Sequence, residues 1–524
     1  MRGGRAIALL LAGLAALSAR GEAQARVTQT AYLKASNLES MDHFGCGGVQ
    51  QGHTGRGVAL SGDGNTMAVG APHEASGAKG INGNQKDNSV FEAGAVYVYA
   101  RSGHVWKQQA YLKASNPQMS AAFGHYVVLS DDGNTLVVSA YWESSSAKGV
   151  NGNQQDQSIP QAGAVYVFTR QGTTWSQQAY VKASNTGEAG TADTFGKGDQ
   201  FGFSLALSGD GNTLAVGALT EDGGQRGING NQADNSAASA GAVYVFTRQG
   251  TTWSQQAYVK SSNIDAGDLF GYAVALSRDG NILAVGAFDE DGSTRQINGP
   301  DDNRATGSGA AYVFTRTGAS WSQQAYIKPS NLETQDAFGV DVALSDDGST
   351  LLVGSLDEDC AATGVNPPGC DNDWRDDLSM GAVYVFVRSG STWSQQAFLK
   401  SSNISPNDTF GERLSLSGDG NVAAISASVE DGSAKGINGK SDDAAIDAGA
   451  VYLFTRDGTT WRQQAYIKGS NTEAFDQFGG SVSLDRSGRL LAVGAQGEDS
   501  GSAARPADNS VAEAGAVYVF SLTR

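Results

Sequence analysis

A nine-residue phrase, Gln-Gln-Ala-Tyr-Leu-Lys-Ala-Ser-Asn, ends at Asn116, and close variants end at Asn37, Asn185, Asn263, Asn331, Asn403 and Asn471. Phe-Gly follows each one, at Phe44, Phe123, Phe201, Phe270, Phe338, Phe410 and Phe478. A run such as Leu214 to Ala218 comes next, and each unit closes on a run such as Gly241 to Phe246. Six joins then carry a tryptophan: Trp106, Trp175, Trp253, Trp321, Trp393 and Trp461. A period of roughly 70 residues, held over seven copies, marks a repeat architecture in which each unit needs its neighbours to bury a core.

Within a unit the periodicity is that of strands. Leu-Ala-Val-Gly-Ala and Ala-Val-Tyr-Val-Phe are β-branched and aromatic runs of strand length. Asp-Gly pairs, from Asp63-Gly64 to Asp419-Gly420, mark the first hairpin turn, because glycine takes positive φ without a Cβ penalty. Unit seven reads Asp485-Arg486-Ser487-Gly488 and keeps only the glycine. Four strands per unit and seven units predict an all-β fold, a seven-bladed β-propeller, since radial repetition protects strand edges that a flat sheet exposes. The chain starts with a lone strand-like segment, Thr28 to Lys34, and stops at Phe520 to Arg524, one strand short. The first segment is therefore expected to complete the last blade and close the ring.

These phrases resemble the FG-GAP repeats of the integrin α-subunit head, and more closely the tandem repeats of bacterial exported proteins. The resemblance covers Arg26 to Arg524 and implies the same propeller. It also implies a blade order, with the strand after Phe-Gly innermost and the tryptophan strand outermost. The Asp-Gly and Arg-x-Gly-x-x-Trp turns then share one face. The Ser-Asn to Phe-Gly connections and the long loops share the other, which carries the length variation and is the face expected to bind. Function follows only loosely, because the family includes adhesion receptors, lectin-like modules and enzyme-attached domains. The integrin calcium loop, Asp-x-Asp-x-Asp-Gly-x-x-Asp, is not matched: Ser61-Gly62-Asp63-Gly64-Asn65-Thr66 offers one acid.

Residues 1–25 read as a cleaved Sec-type signal peptide, with arginines before an apolar run (Ala6 to Ala19) and Ala23-Gln24-Ala25 as cleavage site. That run is shorter than the roughly 20 residues a bilayer span requires, and no other apolar stretch is long enough. The expectation is one propeller over 26–524, secreted, periplasmic or on the cell surface, without a transmembrane segment. A net charge of −18 repels nucleic acid and favours cations. Export makes a local Cys360–Cys370 disulfide the expected state, with Cys46 left over.

The long loops repeat an acidic text: Glu74 with Asp87, Glu221 and Asp222 with Asp234, Glu290 and Asp291 with Asp302, Glu430 and Asp431 with Asp442, Glu498 and Asp499 with Asp508. Oxygen-rich side chains separated by glycine suit calcium, which takes 6–8 oxygen ligands. The same residues also make plain turns and Asx caps, and that reading is preferred. An aspartate two residues before Phe-Gly (Asp42, Asp199, Asp268, Asp336, Asp408, Asp476) and a lysine on every outer strand recur in the blades. Recurrence implies a structural use, such as turn capping or a surface Lys–Asp pair.

Asymmetry points to a ligand instead. Unit one inserts a segment holding His53 and Arg56, unit three lengthens around Thr194-Phe195-Gly196, and unit five adds the Cys360–Cys370 loop with Trp374. His53, Arg56 and Trp374 are the candidate ligand-binding residues. The five histidines show no metal-ligand spacing, and no catalytic motif is present. The expected function is a secreted or cell-surface scaffold binding an extracellular protein or glycan, adhesion-like and without catalysis. The alternatives are a polysaccharide-acting propeller enzyme and a structural envelope component.

Overall fold

The protein is described by a computed structural model over residues 26–46, 55–187, 198–370 and 378–523. Residues 1–25 and the residues around His53, Thr194 to Gly196 and Trp374 lie outside these segments. Seven antiparallel sheets form, each in chain order from an inner to an outer strand. Blade 3 is typical: Phe201–Leu207, Thr213–Ala218, Ala242–Gln249 and Thr252–Val259. In blade 7 the outer strand is Arg26–Leu33, paired antiparallel with Ala516–Thr523, so the first segment of the chain completes the last blade.

The blades pack face to face, and the core lies between them. One apolar layer joins Val96, Val98 and Leu112 of blade 1 to Leu136, Val138, Tyr166 and Phe168 of blade 2. Each Phe-Gly phenylalanine stands edge-on to the tyrosine of its own third strand, as Phe201 to Tyr244 at 5.4 Å between ring centres. Two glycine columns exist because the next blade's Phe-Gly comes too close for a side chain. A Cβ on Gly70 would meet the Gly124 carbonyl oxygen at 2.0 Å, and one on Gly94 the Phe123 oxygen at 2.1 Å.

The Ile-Asn-Gly text of the long loops also has a structural use. Asn82, Asn151, Asn229, Asn298, Asn366 and Asn438 all take positive φ. Each accepts a hydrogen bond at Oδ1 from an outer-strand backbone N–H, as from Tyr258 to Asn229 at 2.9 Å. In blade 5 the contact lengthens into a two-residue fifth strand, Gly364–Val365. The loops thus fold back along the exposed outer edge and cover part of it. Cys360 and Cys370, in the same loop, are joined by a disulfide with their Cα atoms 5.2 Å apart.

Candidate functional site

The meander gives the ring two unlike faces. On the turn face each Ser-x-Asp-Gly turn is closed by its own side chains: Ser208 Oγ donates to Asp210 Oδ1 at 2.5 Å, and Asp210 accepts from Asn212 N at 2.9 Å. These turns are also tied to one another. Backbone N–H groups of Asp63, Asp131, Gly209, Arg278, Asp346, Gly418 and Arg486 each donate to the next blade's turn, and the last returns to Gly62, at 2.8–3.2 Å. Seven hydrogen bonds thus run head to tail around the axis. Two ion pairs each reach across one intervening blade, Arg278–Asp131 at 2.7 Å and Arg486–Asp346. Each passes over a glycine: a Cβ on Gly209 would meet Asp131 Oδ2 at 2.6 Å, and one on Gly418 would meet Asp346 Oδ2 at 2.5 Å. Further out, Trp253 Nε1 donates to Gln178 Oε1 of the preceding blade at 2.9 Å, with the Arg248 guanidinium 5.2 Å from the indole centre.

On the opposite face the recurrent acids find lysine. Glu74, Glu143, Glu221, Glu290, Glu358, Glu430 and Glu498 pair with Lys113, Lys182, Lys260, Lys328, Lys400, Lys468 and Lys34 at 2.5–2.9 Å. All seven pairs are buried. Glu221 is representative. Its Oε1 accepts from Asn185 and Tyr258, and its Oε2 accepts from Lys260 and from the Gly223 backbone. A carboxylate has about four acceptor positions, and here protein donors fill them. Burial pulls the lysines below their ordinary pKa while the adjacent glutamate opposes that shift. The expected surface Lys–Asp pair is corrected: the lysine's partner is the loop glutamate, and it is buried. A long charged stem can reach an acid distant in sequence, which spacing along the chain does not reveal.

The aspartates before Phe-Gly cap turns instead. Asp268, Asp336, Asp408 and Asp476 each accept from the backbone N–H three residues earlier at 2.8 Å. Burial, with a neighbouring glutamate adding to it, pushes the carboxyls of Asp42, Asp199, Asp268, Asp336 and Asp408 up to about 8 and that of Asp476 to about 7.

The other loop acids also have local partners. Asp222, Asp291, Asp431 and Asp499 accept from the backbone of Ser239, Gly307, Asp447 and Glu513 across their loops. Asp302 and Asp442 bind Ser293 and Ser433, Asp87 caps Ser89, and Asp508 pairs with Arg505 at 3.2 Å. Asp234 lies half-buried in its loop, its backbone N–H donating to Asn231 O. Among the described residues no group of three or more His, Cys, Asp and Glu is arranged to hold a metal ion. The arrangement of these acids does not fit a calcium site.

The axis holds a channel of about 210 Å³ walled by the inner strands. Arg56 crosses it from blade 1 to blade 5, where Nη2 lies 2.7 Å from both Asp341 oxygens. Asp341 Oδ2 also accepts from Leu414 N of blade 6 at 2.8 Å. Arg56, a candidate ligand residue, is thus committed to a partner inside the ring. At the loop-face mouth, His125 lies on Tyr141 at 4.1 Å, and Phe203, Tyr272 and Phe288 continue the aromatic arc over blades 2–4. His43 and His73 meet edge to face at 4.9 Å, each 3.5 Å from a glutamate (Glu513 and Glu92). Burial lowers both imidazoles, His73 to about 4. Cys46 is buried beside them and its thiol donates to Gln496 Oε1 at 2.5 Å. Sequence spacing gave no hint that these histidines gather. Only reading the same position across all seven units would have.

The FG-GAP repeat profile matches residues 106–168, 253–314, 321–386, 393–454 and 461–520, more than half of the chain. This protein belongs to the FG-GAP repeat family. Each matched FG-GAP segment runs from an outer strand through the third strand of the next blade, so the sequence repeat straddles two blades. No curated protein matches the chain. Solved structures that resemble it include the Pseudomonas aeruginosa periplasmic gluconolactonase PpgL, at 14% identity and TM-score 0.44, with 80% of this chain and 86% of that one covered. Another is the Myceliophteria thermophila Cps50 (Swd1) β-propeller domain, at 10% identity and TM-score 0.45, covering 91% and 98%. At such identities and scores these likenesses carry nothing about activity. Among the described residues no helix is long and apolar enough to cross a membrane.

Proposed function

We propose that this FG-GAP propeller is an exported binding scaffold that engages an extracellular protein or glycan through its loop-rich face. One observation carries the reading. The turn face is nearly seven-fold uniform and closed by a ring of hydrogen bonds, whereas the loop face differs from blade to blade around its axis. A structural fastener must repeat, and a site must not. Among the described residues the charged features that repeat from blade to blade are ion pairs, turn caps and Arg–Trp stacks inside the fold, which fit a rigid platform better than a reaction centre.

Photo-crosslinkers at Asn88, Gln232 and Asn509 on the loop face and at Gly103, Gly172 and Gly250 on the turn face test it against cell-surface extracts. Crosslinks confined to the first set are expected. Equal labelling of both faces, or turnover of a polysaccharide by the purified chain, would sink the reading.

A further inference from the structure

Six large apolar side chains stand more than half exposed among the described residues, and five of them, Met41, Phe91, Met119, Ile446 and Phe475, share the loop face. They are also consecutive. Phe475 N donates to Ile446 O across the junction of blades 6 and 7, at 2.8 Å. Met41 N donates to Ala512 O across 7 and 1, at 3.0 Å, and Ser120 N, beside Met119, donates to Phe91 O across 1 and 2, at 2.9 Å. The same positions at the junctions of blades 3 with 4 and 4 with 5 hold Ala238 with Gly267 and Thr306 with Gln335. The apolar residues therefore form an arc over three adjoining junctions.

Two features say that this arc is not a by-product of packing. Phe475 and Met41 sit at φ 68° and 66°, a conformation that suits Gly or Asn and costs a bulky residue energy. Gly267, Asn407, Gln335 and Ser120 fill that position in other blades, none of them apolar and bulky. Their side chains bury too little to offset the cost within the chain. Exposed apolar groups gathered in one place on a soluble surface mark an interaction site, and Phe and Met are enriched at interfaces.

The charge pattern names the partner. The residue after the exposed position is Glu92, Asp447 and Glu513 at these three junctions, but Ser239, Gly307 and Ser379 in blades 3, 4 and 5. Segments 37–46, 88–94, 116–124, 443–449, 471–480 and 508–515, which build the arc, contain no lysine or arginine and add Glu39, Asp443 and Glu473. We infer that the arc over blades 6, 7, 1 and 2 docks a polypeptide segment whose apolar side chains alternate with lysine or arginine. Apolar anchors would cover Phe475, Ile446, Phe91 and Met119, while the flanking cations meet the acids. A second copy of this acidic chain, or an anionic bilayer, would be repelled.

This inference rests on the loop-face reading above, and its test separates the two. Three synthetic 16-residue peptides serve as probes: Leu and Phe alternating with Lys, the same anchors with Glu, and the same Lys with Ser as anchors. Binding to the full chain is followed by fluorescence anisotropy in 0.15 M salt. The Lys-apolar peptide is expected to bind at least ten times tighter than either control. Phe475→Ser with Ile446→Ser, or Phe91→Ser with Met119→Ser, should each weaken it at least ten-fold, while Val105→Ser on the turn face leaves it unchanged. Melting curves matching the parent show that the variants fold. Parent-like affinity in both double variants, equal binding of the three peptides, or no binding overturns the inference. So does self-association, or binding to phosphatidylglycerol vesicles, that the double variants abolish. If the arc fails while crosslinks still fall on the loop face, the scaffold reading stands and only this location is wrong.

Discussion

The turn face and the loop face are built from the same seven units but hold them together in opposite ways. On the turn face, neighbouring blades exchange backbone hydrogen bonds, and blades two apart are linked by exposed or half-exposed ion pairs, such as Arg278 with Asp131. On the loop face, each blade buries a lysine against a glutamate within its own sheet. Exposed pairs are screened and cheap to lose, whereas a buried pair that loses one partner leaves an uncompensated charge. Removing a single partner is therefore expected to cost more on the loop side, which is also the side that varies. A rigid internal ion pair under each loop lets the loop surface change without loosening the blade.

The sharpest test of that division is at the closure. Deleting Arg26 to Ser36 removes both the outer strand of blade 7 and Lys34, the partner of Glu498 at 2.6 Å. Melting should lose its single cooperative transition, with hydrogen exchange rising first in Ala516–Thr523, the strand that loses its partner, and then in the rest of blade 7. An unchanged melting temperature would show that the first segment is not a clasp.

Next in size, Lys260→Met should destabilise by about 3–5 kcal/mol, the cost of stranding a buried carboxylate. The double variant Lys260→Met/Glu221→Leu should recover most of it. Denaturant unfolding measures both, and a loss below about 1 kcal/mol for the single variant would mean that the pair is solvated.

The pH response should also belong to the loop side. Asp42, Asp199, Asp268, Asp336 and Asp408 titrate near 8 when folded, above the roughly 3.9 of an unfolded aspartate. The folded state therefore holds protons that the unfolded state releases. Their contribution to stability is full below about pH 4 and is lost as pH rises through about 8. Melting temperature should fall from pH 5 to pH 8, and Asp408→Asn should flatten the fall. A midpoint that rises over that range contradicts the assignment.

Smaller still, Arg278→Met on the turn face should cost less than about 1 kcal/mol, an effect that shrinks in 1 M salt. A larger, salt-insensitive loss would make the two faces alike. Calcium should do least. With the loop glutamates already saturated by lysine, tyrosine and asparagine, melting curves in chelator and in millimolar calcium should coincide. A rise of several degrees in calcium would show that the loops rearrange to bind it.

The sequence by itself determined the seven blades and the closure, while the order of strands within a blade came from the resemblance to FG-GAP repeats. The first two follow from local patterns: strand-length apolar runs, Asp-Gly turns, and one strand too many at the start matching one too few at the end. The disulfide was legible too, because Cys360 and Cys370 lie only ten positions apart in one loop. The tertiary structure decided what no local pattern encodes. It chose Glu221 rather than Asp199 as the partner of Lys260, because burial rewards the acid whose remaining oxygen positions Asn185, Tyr258 and the Gly223 backbone can fill. It turned Arg56 inward to Asp341 across the channel, 285 residues away. It also brought His43 to His73, and Phe475 and Met41 onto one arc. A ring places equal positions of distant units side by side, so contacts across blade junctions depend on three-dimensional closure and not on distance along the chain.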